Sequence, residues 1–199
     1  MTPLYCLSQY KNRVINLLIQ NKDFVKLINP SPSNCEYLDI VDILTGGEWI
    51  FDGKKYKEQG YVFDHNFVDD TVTEEKTFLF VEATVESIKQ NILMDFTLYI
   101  YVFTAKGLVR LSSATSPSIN EVKEMGCFTG STYANRIDAL SEVIDSVLNG
   151  CDKLPALGEV SPASRNFATP YTPKMEYYGK CLRYTVTNFN MAGDTCGNW

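Results

Sequence analysis

The spacing of apolar positions changes along this chain, and each change marks an element. From about Leu4 to Ile28 it follows threes and fours. Val14, Leu17, Leu18, Phe24, Val25 and Ile28 share one side of a predicted helix, while Lys11, Arg13, Lys22 and Lys26 occupy the rest. Asn29-Pro30-Ser31-Pro32 ends it, because proline cannot continue a helix and restricts the residue before it. From Thr77 the period is two. Over residues 77–87, Leu79, Val81, Ala83 and Val85 alternate with Phe78, Phe80, Glu82, Thr84 and Glu86. Over residues 92–104, Phe96, Leu98, Ile100 and Val102 lie opposite Asp95, Thr97, Tyr99, Tyr101 and Phe103, and the short Lys89-Gln90-Asn91 link makes the two strands antiparallel neighbours.

Helical spacing returns after Asn135, the expected N-cap, with Ile137, Leu140, Val143, Ile144, Val147 and Leu148 running to a stop at Asn149-Gly150. Residues 105–134 are expected to be an irregular excursion with a short turn near 119–125, and a loop is expected around Pro155, Pro162, Pro170 and Pro173. A last strand covers 177–190, with Leu182, Tyr184 and Val186 inward. The predicted order is α-β-β-α-β: a single α+β domain over residues 1–199, with an antiparallel β-sheet flanked by two main helices. The second strand faces are rich in aromatics, so both sides of the sheet are expected to be covered. A helix layer is one cover, and a neighbouring subunit is a candidate for the other.

Charge sharpens the reading of residues 33–75. The 199 residues carry 18 Lys and Arg against 24 Asp and Glu, a net charge of −6. Between Glu36 and Glu75 stand eleven acidic residues and three lysines, a local −8, so the rest of the chain is slightly basic. This segment is expected to be a projecting, partly β acidic insertion, with a hairpin in which Asp52-Gly53 turns Trp49-Ile50-Phe51 onto Lys54-Lys55-Tyr56. The balance disfavours a domain that grips nucleic acid over a broad basic face. No run of about 18 apolar residues is present to span a membrane. The opening MTPLYCLSQYKNR has no basic region followed by an apolar run and cleavage site, so no secretory signal is expected. Six scattered cysteines without a CxxC pair read as reduced thiols of an intracellular protein.

Candidate chemistry is sparse. His65 is the sole histidine, and any Cys/His or Ser/His scheme must use it; in Phe63-Asp64-His65-Asn66 it reads as a solvated loop residue. Asp64, Asn66 and Glu75 fit positions 1, 3 and 12 of a calcium loop, but Val68 and Asp69 stand where a ligand and a glycine are needed. No phosphate-cradling glycine motif is present. No metal, cofactor or catalytic residue is therefore expected. The aromatic content points instead to contact surfaces, since tyrosine and tryptophan offer rigid area with a polar tip. In the insertion the candidates are Trp49, Tyr56, Tyr61, Phe63 and Phe67, beside Asp69 and Asp70; on the second sheet face they are Tyr99, Tyr101 and Phe103.

The stretches Asn12-Arg13-Val14-Ile15-Asn16-Leu17-Leu18, Phe78 to Val85, Met94 to Phe103, Asn135-Arg136-Ile137-Asp138-Ala139-Leu140 to Gly150, and Tyr178 to Phe189 resemble the tail terminators (tail completion proteins) of tailed-bacteriophage necks. The resemblance covers about half the chain and consists of structural pattern, with no chemical motif. It implies a ring-forming virion protein, assembled in the bacterial host cytoplasm as a homo-oligomer, expected to be a hexamer. Such a ring sits on the last ring of tail-tube protein, stops polymerisation, offers a face to the head connector and in some tails meets the sheath. DNA passes its lumen without specific binding, and acidic lining suits that passage because like charges do not trap the duplex. Insertion 33–75 and loop 105–134 exceed the compact family pattern. A neighbouring connector component of the neck, a small hydrolase or metal-dependent enzyme using His65 with a cysteine or the carboxylates of residues 64–75, and an acidic module mimicking nucleic-acid charge are the other readings.

Overall fold

The structure is a computed structural model that describes residues 3–28, 44–51, 54–58, 60–65, 75–89, 93–111, 135–149 and 159–190. Two helices stand where the periodicity predicts one. Helix α1 (Pro3–Gln20) and helix α2 (Lys22–Ile28) break at Asn21, whose side-chain oxygen accepts hydrogen bonds from the backbone N–H of Asp23 at 2.9 Å and of Phe24 at 3.0 Å. Asparagine competes for the backbone in this way and starts a new helix as its N-cap. The apolar stripe survives the break, for Tyr10, Val14, Leu18, Phe24, Leu27 and Ile28 are all fully buried.

The expected hairpin forms from strands β1 (Gly47–Phe51) and β2 (Lys54–Glu58), antiparallel, with Phe51 opposite Lys54 and Trp49 opposite Tyr56. It is a two-stranded sheet of its own. The main sheet contains β3 (Val62–Phe63), β4 (Thr77–Lys89), β5 (Leu93–Ala105), β6 (Glu159–Pro162), β7 (Ala168–Tyr171) and β8 (Tyr177–Asn190), in the spatial order β3-β4-β5-β8-β6, with β7 also on β8. Long strands β4, β5 and β8 are antiparallel, as the sequence predicts, while β3 runs parallel to β4 and makes the sheet mixed. The loop expected around the prolines instead supplies β6 and β7, which line the outer side of β8 in turn. Pro162 and Pro170 are tolerated because both strands are short and lie at the edge, where a missing N–H breaks no central ladder.

Helix α3 (Arg136–Leu148) begins as expected at Asn135, whose side chain accepts from the Ile137 N–H at 2.9 Å. Of the described helices, α1 and α3 pack against one face of the sheet, whose inward residues are Leu79, Val81, Phe96, Leu98, Ile100, Val102, Leu182, Tyr184 and Val186, and α2 packs on both of them. Two polar ties hold α3 to β8: the Lys180 ammonium donates to Asp138 at 2.6 Å and the Tyr184 hydroxyl donates to Asp145 at 3.1 Å. Arg136 is completely buried; its Nε donates to the Leu108 carbonyl at 2.9 Å and one terminal nitrogen donates to the Leu27 carbonyl at 2.7 Å. Burial pulls its pKa down, yet those carbonyls supply the acceptors that a guanidinium removed from water requires. No described helix is long and apolar enough to cross a membrane.

Candidate functional site

Cross-strand register arranges the outer face of the sheet, the one without helices among the described residues, in rows. Glu82 of β4, Tyr99 of β5 and Arg183 of β8 form one; Phe80, Tyr101 and Cys181 form the next; Phe78, Phe103 and Gly179 form the third, with Tyr171 of β7 beyond. Burial grades across them. Phe78 and Phe103 are fully buried, 5.5 Å apart between ring centres, and Phe80 meets Phe103 edge-on at 5.1 Å. Such offset and edge-on geometry suits the negative face and positive edge of an aromatic ring. Gly179 makes the third row possible, since a Cβ there would overlap the Val102 carbonyl oxygen and the Phe103 Cβ. The Tyr171 ring lies 5.8 Å from Phe103 and 4.7 Å from Tyr101.

The first row, with Tyr101 and Cys181 of the second, stays partly open to solvent, while Phe80 is buried. Tyr99 and Tyr101 stack with centroids 6.3 Å apart and planes 12° from parallel, and the Arg183 guanidinium carbon lies 5.7 Å from the Tyr99 ring. A planar cation beside a tyrosine pair is a contact surface with charge and little flexibility. Burial pushes the Tyr101 hydroxyl up to about 12, with further upward contributions from Cys181, Tyr171, Tyr99 and Glu82. Burial also raises the Cys181 thiol, outweighing its hydrogen bond with Tyr101 and the nearby Arg183 charge, which act the other way. A thiol held above its ordinary pKa is largely protonated near neutrality and is a poor nucleophile.

The predicted contact residues divide. Tyr99 and Tyr101 are together on the outer face, as their alternation implies. Phe103 belongs to the same face but is fully buried: it sits in the aromatic cluster and is not a surface residue of this chain. Tyr61 is likewise corrected, being 7% exposed in the main core with the Lys76 ammonium 4.8 Å from its ring centre. Its N–H donates to the Leu44 carbonyl at 2.7 Å and its carbonyl accepts from Leu79 at 2.8 Å, so it enters the sheet one residue ahead of β3. Phe63 is half-buried against Phe80 at 5.1 Å. Trp49 and Tyr56 are backbone partners in the hairpin, while Phe67, Asp69 and Asp70 lie outside the described residues.

Arg183 and Tyr171 complete the outer patch and were not anticipated. Arg183 was findable, since it alternates with inward Leu182 and Tyr184 and so faces outward. Tyr171 was hidden inside a stretch read as loop. His65 is exposed, with Nδ1 2.8 Å from Asp64 Oδ1. That hydrogen bond is the main reason the Asp64 carboxyl sits below its ordinary pKa, with the His65 and Lys11 charges adding to it. Lys11 donates to the Asp64 carbonyl at 2.6 Å and so ties this corner to α1. Among the described residues no group of three or more His, Cys, Asp or Glu is placed to hold a metal ion.

Residues 21–186 match the model of the protein family described as YomW, a name carried by a Bacillus phage-derived protein, which makes this a phage-related match. No curated protein and no solved structure matches the chain.

Proposed function

We propose that this chain, which belongs to the YomW family, is a structural virion protein of a phage neck: a ring subunit that caps the tail tube, terminates its polymerisation and offers a docking face to the head connector. The observation that carries the reading is the outer sheet face, where Tyr99, Tyr101 and Arg183 present a rigid aromatic and cationic patch above a buried phenylalanine layer. Tyrosine and arginine are enriched where proteins bind one another. An assembly built from such patches needs no catalytic group. The partners in this reading are further copies of the chain, expected in a hexamer, the tail-tube protein, the connector and, in a contractile tail, the sheath. DNA passes through the lumen without being gripped, consistent with the net charge of −6.

Electron microscopy of the purified protein alone and with tail tubes tests this. Rings, and density capping tube ends, are the expected result. A monomer at every concentration tried, with tubes left uncapped, would overturn the proposal. His65→Ala is expected to leave ring formation and capping unchanged; complete loss of biological function in a folded, ring-forming His65→Ala protein would favour the enzyme reading instead.

A further inference from the structure

The outer patch holds a cation without an anion. The Arg183 side chain makes no hydrogen bond or ion pair among the described residues, and its Nε is buried without an acceptor. An arginine partly withdrawn from water ordinarily finds a carboxylate or carbonyl, because a bond left unmade there costs the group its hydration. The carboxylates on the same face are taken. Glu82, in the same row, accepts from Lys11 at 3.3 Å and from the Ala83 N–H at 3.0 Å, Glu86 accepts from Thr97 at 2.8 Å, and Glu159 accepts from Thr187 at 3.3 Å. The guanidinium rests beside the Tyr99 ring with its charge unanswered among the described residues.

The reverse imbalance stands at one end of the sheet. The connection 172–176 between β7 and β8 carries Met175, 85% exposed and the most open large hydrophobic among the described residues. Next to it Glu176 is exposed, with no ion pair among those residues. This tip is held in place, since the Tyr177 N–H donates to the Lys174 carbonyl at 3.0 Å and the Glu176 carbonyl accepts from the Lys106 N–H at 2.9 Å. Pro173 narrows its conformations further. A fixed loop loses little freedom when it docks. The tip cannot reach the patch of its own chain: Tyr177 and Arg183 stand about 20 Å apart along β8 at the usual rise per residue, and Tyr177 is fixed to the end of β5 by its pairing with Ala105.

We propose that the Met175-Glu176 tip of one copy seats on the Tyr99-Tyr101-Arg183 patch of the next copy. The Glu176 carboxylate accepts from the Arg183 guanidinium, in the bidentate geometry that a planar fork and a carboxylate share. The Met175 thioether lies against the Tyr99 and Tyr101 rings, a contact that suits its polarisable sulfur. The dimensions agree. Tyr99 and Arg183 are register partners on adjacent strands, about 5 Å apart, and consecutive residues of the tip are about 3.8 Å apart between Cα atoms. The buried phenylalanine layer that Tyr101 packs against gives the patch a firm floor. A tip on one surface and a patch on another make a head-to-tail contact, which closes into a ring when the rotation permits. The inference rests on the ring reading and names the contact that builds the ring.

Native mass spectrometry of the full chain tests it, with Glu176→Arg, Arg183→Glu and the two combined. Wild type should give the ring mass; each single variant should raise the concentration needed for assembly at least tenfold; the combined chain should recover it. Peroxide footprinting of the wild type decides the matter even if a variant fails to fold. Met175 should be converted to its sulfoxide readily in dilute monomer and at least tenfold more slowly in the ring. Rings that form unchanged in both folded single variants, a folded combined variant as weak as the singles, or a Met175 oxidised equally fast in ring and monomer overturn this contact while leaving the ring reading intact. Protection that appears only when tail-tube protein is added also overturns it and assigns the tip to that partner. A wild type that never assembles, alone or on tubes, overturns both.

Discussion

On the helix-covered face of the sheet, Phe96 is completely buried and meets Tyr10 of α1 edge-on at 4.6 Å. One residue further along β5 but on the opposite face, Thr97 gives way to Tyr99 and Tyr101, which stack on each other and remain partly open beside Arg183. Both faces carry aromatics of β5 and β8, one fully buried from each strand on the helix-covered face and several on the other. On the first, rings contact helices from elsewhere in the chain, so their burial contributes to folding. On the second, burial fades from Phe103 to Tyr99 across two rows, and the last rings have surface left over for something outside the described structure. Aromatic content by itself therefore says little; what a ring faces decides whether it folds the chain or meets a partner.

Substitutions can break this contrast, and the largest effects belong to the first face. Phe96→Ala should cost about 3–5 kcal/mol in urea unfolding, because it removes a buried ring and leaves a cavity under α1. Arg136→Leu should cost about 2–4 kcal/mol, since the Leu27 and Leu108 carbonyls lose their donors in a buried place; hydrogen exchange should quicken around the α2 terminus. Gly179→Ala tests whether the third row of the outer face is as tightly built as the core, and overpacking there should cost about 1–3 kcal/mol by the same measurement. A cost near zero would mean that the row is loose. Tyr99→Ser should change unfolding by less than about 1 kcal/mol, as for other partly exposed positions, yet weaken assembly in sedimentation experiments. Equal loss of stability and assembly would erase the distinction between the faces.

A pH dependence confined to alkaline solution involves one tyrosine from each face. Tyr101 has its pKa raised to about 12 from the ordinary tyrosine value near 10, and Tyr184 is raised as well, chiefly by burial and then by Asp145. A raised folded-state pKa contributes stability that is complete below the unfolded value and is lost as pH climbs through the folded one. Stability should therefore hold up to about pH 10 and decline between there and 12. Tyr101→Phe should flatten part of that decline, and phenolate absorbance should show one fewer late-titrating group.

Long periodic elements were legible in the sequence. Strands β4, β5 and β8 and helix α3 repeat an apolar face for at least thirteen residues each, long enough for the period to stand out. The break at Asn21 was not, because the stripe continues across it and only the asparagine side chain records the change. Strands β6 and β7 were hidden by their prolines and by having four residues each; their existence depends on β8, which lies later in the chain. In the site, alternation correctly placed Tyr99 and Tyr101 outward. It could not tell that Phe103, on the same face, would be covered, since Tyr177 and Tyr171 reach it through tertiary contacts. Tyr61 failed for a related reason, for it joins the core by preceding a strand of only two residues.

The hydrogen bond from Arg136 to the Leu27 carbonyl joins residues 109 positions apart. During synthesis, α2 emerges long before the side chain that donates to its Leu27 carbonyl exists. Closing so wide a loop carries an entropic cost that only later contacts offset, and distant pairings of this kind slow the search for the native state. The N-terminal helices are therefore expected to remain provisional until α3 has left the ribosome. Truncation before Arg136 should leave them open to proteolysis, whereas a chain extended through β8 should protect them.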